Sequence, residues 1–272
     1  MSQPQYEVYA LRYASMARTS HDNFIRRDMH DGPMPLDFFV WLLKSGQRNI
    51  LVDTGFGAQA AEERNRKLDC CPIEALGALQ VRPEDVGDVV ITHLHYDHAG
   101  NLDKLPNAVF HVQDAEMEYA TGRCMCHATL RHPFRVDDVV TLLRHVYGSR
   151  VCFHRGNEAI APGVELLHIG GHTKGLQAVR VFTARGWVVL ASDASHYYAN
   201  MRERNPFPLV YNVADMLAGH DICVRHADSP DHVVPGHDPL VLQYYPRAPG
   251  VALDVACLHL PPDASAASCR QG

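Results

Sequence analysis

The sequence has no apolar run long enough to span a membrane and no excess of positive charge. Its apolar segments fall well short of the roughly 20 residues that a membrane helix needs. Lysine and arginine number 25 against 31 acidic residues, which gives a formal net charge of −6 at pH 7. This charge disfavours nucleic acid and anionic membrane surfaces. We therefore expect neither as a partner.

The chain also lacks a disulfide framework and the marks of a signal peptide. Eight cysteines occur, but they show no even pairing pattern, and Cys70 beside Cys71 is a poor geometry for a bridge. Residues 1–5 (MSQPQ) contain neither the charged nor the apolar region of a signal peptide. A reducing, cytoplasmic setting is therefore the expectation.

With 272 residues, 46% of them apolar, the chain has the size of one large domain that can bury a sizeable core, and we expect residues 1–272 to form it. Apolar hairpins followed by helical segments recur in both halves, which predicts an α+β fold with two sheets face to face and helices outside. Residues 58–68 read as helix, and the tail after about residue 247 shows no clear element. Residues 15–35 lose periodicity and predict either a lid loop or a plain surface excursion. Residues from about 113 to 150 read as an insertion that caps the active face.

The densest chemical signal is the segment 92–101, THLHYDHAGN. It follows the apolar run 89–91, of the kind a buried strand uses. On an extended backbone His93 and His95 point to the same side, and the turn beyond them can bring Asp97 and His98 round to face the same space. Four such side chains at one strand end indicate a metal site rather than a solvated loop. Imidazole combined with carboxylate suits zinc, iron or manganese.

Three later residues repeat this logic. His172, Asp193 and His237 each follow an apolar strand and stand beside small or turn residues. A single histidine after a strand is usually structural, but the order HxHxDH, GHT, SDA and PGH predicts that all of them converge at one edge of the sheets. Asp53, also at a strand end, either orients a metal-bound histidine from behind or makes an Asx turn.

These motifs resemble those of the metallo-β-lactamase superfamily from about residue 53 to residue 238. The resemblance implies a four-layer αββα sandwich that holds two divalent metal ions. We expect zinc, with iron, manganese and cobalt as alternatives, because the same ligands accept all four. It also implies one ligand set of His93, His95 and His172, a second set of Asp97, His98 and His237, and Asp193 as the bridge between them.

Within the superfamily the chain most resembles N-acyl homoserine lactonases and related small-lactone hydrolases, on its single HxHxDHAGN block and its Asp193-Ala194-Ser195 run. This implies an enzyme that opens a lactone ring by attack of a metal-bound hydroxide, with Asp97 able to pass a proton to the leaving oxygen. Lactonases of this branch commonly have a tyrosine three residues after the bridging aspartate, where this chain has His196. Tyr198 and His196 are therefore our candidate hydrogen-bond donors to the developing oxyanion, and either could instead simply pack nearby.

Other functions stay open at this point. The same site type in related enzymes acts on thioesters, β-lactams, other esters or phosphoesters, and an iron-dependent persulfide dioxygenase would use only part of the ligand set. A scaffold that binds metal without catalysis is a third alternative. The segment 124–127 (CMCH) could form a soft-metal clip, although ordinary thiols are the simpler interpretation. A homodimer is also left open.

Overall fold

The protein is described by a computed structural model that covers residues 3–27, 29–46 and 48–263. Within these residues the strands form two sheets. The first contains, in spatial order, β13 (Val255–Cys257), β1 (Glu7–Met16), β2 (Leu36–Ser45), β3 (Arg48–Val52), β5 (Asp88–Val90), β6 (Val109–Gln113) and β7 (Val151–His154), with β4 (Lys67–Leu68) paired to β1. The second contains β12 (Val233–Pro235), β11 (Gly186–Ser192), β10 (Gln177–Thr183), β9 (Val164–His168) and β8 (Glu158–Ala161).

Helices flank both sheets. They are α1 (Ala58–Glu63), α2 (Pro72–Ala75), α3 (Asp114–Thr121), α4 (Ala128–Arg131), α5 (Val136–Tyr147), α6 (Tyr198–Arg202), α7 (Val213–His226) and α8 (Leu240–Tyr244). Short 3₁₀ helices span Ser20–Asp22, Leu76–Leu79, Pro83–Asp85, Leu102–Lys104, Arg123–Cys126 and Pro230–His232.

The layer order follows from strands that are apolar on both faces. Side chains alternate across a strand, and in β2 Val40 and Leu42 join the core under the helices of the first sheet, whereas Trp41 and Leu43 join the core between the sheets. On the far side of the second sheet, Cys223 of α7 packs with the outer face of β9 to β11. The predicted four-layer αββα sandwich is confirmed.

Strand direction carries the chemical motifs to one end of this sandwich. β3, β5 and β6 run parallel, so the segments that leave β3 and β5, which contain Asp53 and the HxHxDH motif, emerge at the same edge. β11 and β12 are also parallel, with Ser192 opposite Pro235, and this pairing brings Asp193 next to the segment that contains His237.

Two sequence predictions were wrong. The tail contains β13, which pairs with β1 in the register Tyr9 to Cys257; a three-residue strand is too short to show a period. The helix predicted over 58–68 ends at Glu63, because Asn65 takes a left-handed conformation (φ 50°) and the chain then pairs with β1 through β4.

The two segments predicted as lid and cap lie near the motif end of the sandwich. Within residues 15–35, Thr19 pairs with Pro33, and the buried Asn23 donates to the Met34 carbonyl at 2.9 Å. Asp28 of this segment lies outside the described residues, and so does Gln47 of the predicted turn between β2 and β3. The segment 113–150 holds α3, α4 and α5. Their roles as lid and cap stay predictions, as does the single-domain boundary. In the described part of the chain, no helix has the length and hydropathy to cross a membrane.

Candidate metal centre

The structure brings the seven predicted ligands together. The ligand atoms of His93, His95, His172 and Asp193 all lie within 4.8 Å of one another, and those of Asp97, His98 and His237 form a second group with the same spacing. All are buried except Asp97, which is partly exposed. The distances divide the histidines into the same two sets that the resemblance implies.

Asp193 lies between the two sets with one carboxylate oxygen toward each. Its Oδ2 is 3.1 Å from His172 Nε2 and 3.7 Å from His93 Nε2. Its Oδ1 is 2.9 Å from His237 Nε2 and 3.3 Å from His98 Nε2. This is the orientation that a carboxylate needs to bridge two cations.

The histidine rings are oriented from behind by hydrogen-bond acceptors. A carbonyl or carboxylate oxygen facing Nδ1 requires that Nδ1 carry the ring proton, so Nε2 points inward with a free lone pair. The distances from Nδ1 to these acceptors are 2.7 Å from His98 to Asp53 Oδ2, 2.6 Å from His172 to the Leu209 carbonyl, and 2.8 Å from His237 to the Asp37 carbonyl.

Asp53 is the orienting residue that the sequence suggested. It is buried in a left-handed conformation (φ 60°) and accepts hydrogen bonds from Thr92 N and Thr92 Oγ1, both at 2.8 Å, besides the one from His98. Thr92 Oγ1 in turn lies 3.1 Å from His93 Nδ1. One buried carboxylate therefore orients a histidine of each set, directly or through Thr92.

The donor set fits a pair of transition-metal ions. The inward Nε2 atoms of His93 and His98 are buried and have no hydrogen-bond partner among the described residues. Buried polar atoms without partners cost free energy. These two atoms point toward the oxygens of Asp193, where a cation placed between them would satisfy both.

The two sets differ electrostatically. Burial, followed by neighbouring imidazoles, lowers the pKa of His93 and His95 well below the ordinary value. Burial acts the same way on His98, but the carboxylates of Asp193, Asp97 and Asp53 outweigh it and raise its pKa well above the ordinary value. The second set therefore lies in a more negative environment, which favours a cation in place of the proton.

Glu116, at the start of α3, ties two motif loops together. Its buried carboxylate accepts from Leu94 N at 2.8 Å, from Thr173 Oγ1 at 2.6 Å and from Gly175 N at 3.0 Å. A Cβ at Gly175 would lie 2.2 Å from Glu116 N, so only glycine fits there. Sequence analysis missed Glu116, because an acidic residue in the first turn of a helix is ordinary.

A cavity of about 270 Å³ opens above the ligands. Its walls combine apolar side chains with three arginines that the sequence did not single out. They include Met16, Leu36, Phe38, Phe207 and Leu209, the basic residues Arg18, Arg64 and Arg66, the phenol of Tyr96, and the site residues His95, Asp97, Asp193, His196 and His237.

Only one of the two candidate oxyanion donors faces this cavity. His196 lines it, its ring stacks on Phe207 with centroids 3.7 Å apart, and burial lowers its pKa to about 3. Tyr198 begins α6 and lines a different, mainly apolar cavity, where its ring lies 5.5 Å from that of Tyr244. The backbone direction at the start of α6 turns Tyr198 into the core between the sheets, so the structure argues against Tyr198 as a donor.

The CMCH segment at 124–127 forms a 3₁₀ turn, and both of its cysteines are free. Among the described residues it is not part of any cluster with metal-ligand spacing. Ordinary thiols remain the simpler interpretation of this segment.

Comparison with known proteins agrees with this geometry. A model of the metallo-beta-lactamase superfamily matches residues 38–237. An N-acyl homoserine lactonase from a Bacillus species is 30% identical over 189 residues, which cover 63% of this chain and 70% of the relative. The N-acyl homoserine lactonase of Bacillus cereus is 27% identical over 187 residues, 63% and 69% of the two chains.

The fold matches just as broadly. The solved structure of an N-acyl homoserine lactone hydrolase, with the product N-hexanoyl-L-homoserine at its catalytic metal centre, superposes with a TM-score of 0.71 at 22% identity. The match covers 88% of this chain and 95% of that one. The chain therefore belongs to the metallo-β-lactamase superfamily, and it is a metal-dependent hydrolase.

Proposed function

We propose that this hydrolase opens the ring of a lactone, either an N-acyl homoserine lactone or another small lactone. It uses two divalent metal ions, for which zinc is our first choice. The observation that carries the proposal is the orientation of Asp193, whose two oxygens face the two histidine sets. The lactonase relatives supply the substrate class.

One ion would be held by His93, His95 and His172. The other would be held by His98, His237 and Asp97, and Asp193 would bind both. A metal pair held by these residues would polarise a carbonyl and would lower the pKa of water to about 7, which would make an attacking hydroxide available at neutral pH. The cavity above the ligands is where the scissile ester would bind.

Asp97 and His196 are the groups that would handle protons and charge around the ester. Asp97 is the ligand with an exposed edge, and Tyr13 Oη fixes its loop by donating to the Asp97 carbonyl at 2.8 Å. It would take the proton that the attacking hydroxide brings and pass it to the leaving oxygen, so that ring opening yields a carboxylate and an alcohol. His196 is neutral at pH 7, and its Nε2 lies 3.1 Å from Asp193 Oδ2, so Nε2 carries the ring proton. With Asp193 engaged by the ions, this N–H would be available to donate to the carbonyl oxygen. Such a donor is worth about 2.7–4 kcal/mol.

The cavity walls would orient the substrate and limit water. Phe38, Phe207, Leu36, Leu209 and Met16 form its apolar part. They would pack against the lactone ring and its substituent, so that the ester carbonyl is directed toward the ligands.

The test combines metal content with turnover. Purified protein loaded with zinc is assayed for proton release on a panel of lactones, thioesters, β-lactams and phosphoesters. We expect about two metals bound at the metal centre, and turnover on lactones above all other classes. His95→Ala should abolish turnover and lower metal content, whereas the matched His127→Ala, on the exposed CMCH segment, should retain both.

Lactone turnover that survives His95→Ala would contradict the mechanism, and a preference for another ester class would contradict the substrate. Iron as the bound metal, together with oxygen uptake, would identify the persulfide dioxygenase alternative. A cytoplasmic location, independence of nucleic acid and membrane, and the lid and cap segments stay part of the proposal. A homodimer stays an open prediction that sedimentation can check.

A further inference from the structure

A second histidine cluster lies at the edge of the first sheet. We call it the edge cluster: His111 on β6 with Cys152 and His154 on β7. The two strands are parallel, with Cys152 directly opposite His111. Residues two apart on a strand face the same side, so all three side chains share one face. One ligand atom from each lies within 4.8 Å of the other two.

Each imidazole of the edge cluster has a carboxylate behind it. His111 Nε2 lies 3.2 Å from Asp88 Oδ1, and His154 Nδ1 lies 2.7 Å from Glu158 Oε2. The remaining nitrogens, His111 Nδ1 and His154 Nε2, face each other at 2.9 Å. A carboxylate that accepts from the outer ring nitrogen is the usual support of a metal-bound histidine.

A proton count shows that this row of contacts needs one more cation. Three close contacts run along the row from Asp88 to Glu158, and each needs one proton between its two acceptors. Two neutral imidazoles carry only two ring protons between them. If both protons point to the carboxylates, two bare lone pairs meet at the central contact. An extra proton along the row, or a metal ion at the central contact, would remove this conflict.

We propose that the edge cluster is a third metal site, which takes one thiophilic transition-metal ion such as zinc through His111 Nδ1, His154 Nε2 and the Cys152 thiolate, with water as fourth ligand. Binding releases the thiol proton to solvent. Tetrahedral zinc with bonds of 2.0–2.1 Å needs its nitrogens about 3.3 Å apart, so the pair must open by only a few tenths of an ångström.

The surroundings favour metal over the extra proton. His111 and His154 are buried, at 7% and 3% exposed, whereas Cys152 is exposed and supplies a soft ligand with an entry path. The nearby carboxylates of Asp88 and Glu158 offset the charge of a divalent ion. Because Glu158 belongs to β8 of the second sheet, a bound ion would also fasten the open edge of the sandwich.

Cobalt gives a specific test, because none of the seven residues of the metal centre is a cysteine. Protein kept reduced and loaded with Co²⁺ should show a thiolate-to-cobalt charge-transfer band, and zinc-loaded protein should hold about three metals. Cys152→Ser should lose the band and hold about two. The matched control Cys126→Ser, also an exposed free thiol, should keep both.

A wild-type protein without the band, or a metal content that Cys152→Ser leaves unchanged, would overturn the proposal. Glu158→Gln provides a second variant that keeps all three ligands. We expect it to weaken the affinity for the third metal by about 10- to 100-fold, the range for lost outer-shell partners. If the histidines share a proton instead, their ring resonances will not respond to one equivalent of zinc added beyond the two at the metal centre.

A second inference concerns the substrate, and it rests on the proposed function. Arg18, Arg64 and Arg66 line the cavity of the metal centre, and all three are half-buried. Arg64 donates to the carbonyls of His132 and Phe134, and Arg66 donates to Tyr96 Oη. Within the described residues, no carboxylate lies at ion-pair distance from these three guanidinium groups.

Three guanidinium groups without a carboxylate at ion-pair distance among the described residues line the cavity above the metal centre. Two divalent ions bring four positive charges, which Asp53, Asp97, Asp193 and the attacking hydroxide together offset, so the three arginines leave the cavity with net positive charge. A neutral lactone leaves these arginines uncompensated. We infer that the preferred lactone carries a carboxylate on its substituent, which the arginines bind through their planar donor forks.

Matched substrates test this inference. Two lactones with equal rings and chains, one ending in a carboxylate and one in a neutral amide, are compared in KM and in calorimetric binding. We expect the carboxylate compound to bind at least about tenfold more tightly at low salt, and Arg66→Gln to reduce that ratio. Arg131→Gln, an exposed arginine that does not line the cavity, should leave the ratio unchanged.

Equal binding of the two compounds, or a ratio that Arg66→Gln leaves unchanged, would overturn the inference. Because calorimetric binding does not depend on ring opening, a failure to open either ring would contradict the proposed function alone.

Discussion

The metal centre and the edge cluster use the same chemistry, imidazoles set against carboxylates, but they are assembled over different ranges. The ligands of the centre come from both sheets, from His93 to His237, and they meet because parallel strands end at one edge. The edge cluster needs only the register of one strand pair, in which Cys152 lies opposite His111. The centre therefore depends on the whole sandwich, and the edge cluster depends on one edge strand.

The two clusters also differ in how their rings are fixed. In the centre the acceptors behind the rings are buried, as for Asp53 and the carbonyls of Leu209 and Asp37. At the edge the acceptors are the partly exposed Asp88 and the exposed Glu158, where water and salt compete. We therefore expect tight binding in the centre and weaker, more exchangeable binding at the edge.

The largest effect should come from breaking the bridge. Asp193→Asn replaces one of the two carboxylate oxygens with an amide nitrogen that cannot ligate a cation, so one histidine set loses its shared ligand. We expect metal content at the centre to fall from about two to about one. Turnover should fall by about 10²- to 10³-fold or more, the range for the loss of one electrostatic contributor. Elemental analysis and steady-state kinetics check both, and full activity with one metal would contradict the bridging role.

A smaller loss should follow from Asp53→Asn. The amide can no longer accept from both Thr92 and His98, so a histidine of each set loses its fixed orientation. We expect affinity for the centre's metals or activity to fall by about 10- to 100-fold. Metal titration against a competing chelator measures this. An unchanged affinity would mean that the Asx-type contacts of Asp53 are purely structural.

Chelation should separate the two clusters. With free zinc at about 100 times the dissociation constant of the edge cluster, binding there should raise the free energy of unfolding by about 2.7 kcal/mol. Cys152→Ser should lack this increase. A mild chelator should remove the third metal first, seen as loss of the cobalt–thiolate band before loss of turnover. Simultaneous loss of both would contradict the proposed difference in affinity.

His220 belongs to neither cluster, and burial is the largest influence on its pKa. Burial lowers its pKa to about 4 in the folded state, against 6.5 in the unfolded chain. The free energy of unfolding is therefore not reduced by His220 above pH 6.5, and it falls as the pH drops toward 4, because the unfolded chain takes up the proton more readily. At pH 5 the loss is about 2 kcal/mol. His220→Leu should flatten this part of the profile in urea unfolding, and the exposed His127→Leu should not. A slope unchanged in His220→Leu would exclude this source of acid sensitivity.

The sequence predicted the centre well because its ligands follow apolar strands in a recognisable order. His93 and His237 could be assigned without coordinates, as could the orienting role of Asp53. Glu116 and Arg66 could not, since acidic and basic residues on short helices and loops are mostly solvated. That Tyr198 lines a different cavity was not predictable, because the direction of a side chain at a helix start depends on packing.

The edge cluster escaped sequence analysis for a related reason. Cys152 and His154 are two apart on β7, but His111 is some 40 residues earlier, and only the register of β6 and β7 unites them. β13 was missed because Val255 and Cys257 pair with β1 through a strand too short to carry a pattern.

That last strand has a practical consequence for shortened versions of the protein. Tyr9 to Leu11 form their outer ladder with Val255 to Cys257, so cutting the chain before residue 255 would leave these backbone groups open to water. An uncovered edge invites the strand of another molecule. Truncation before residue 255 should therefore give a protein that self-associates rather than a smaller, monodisperse enzyme.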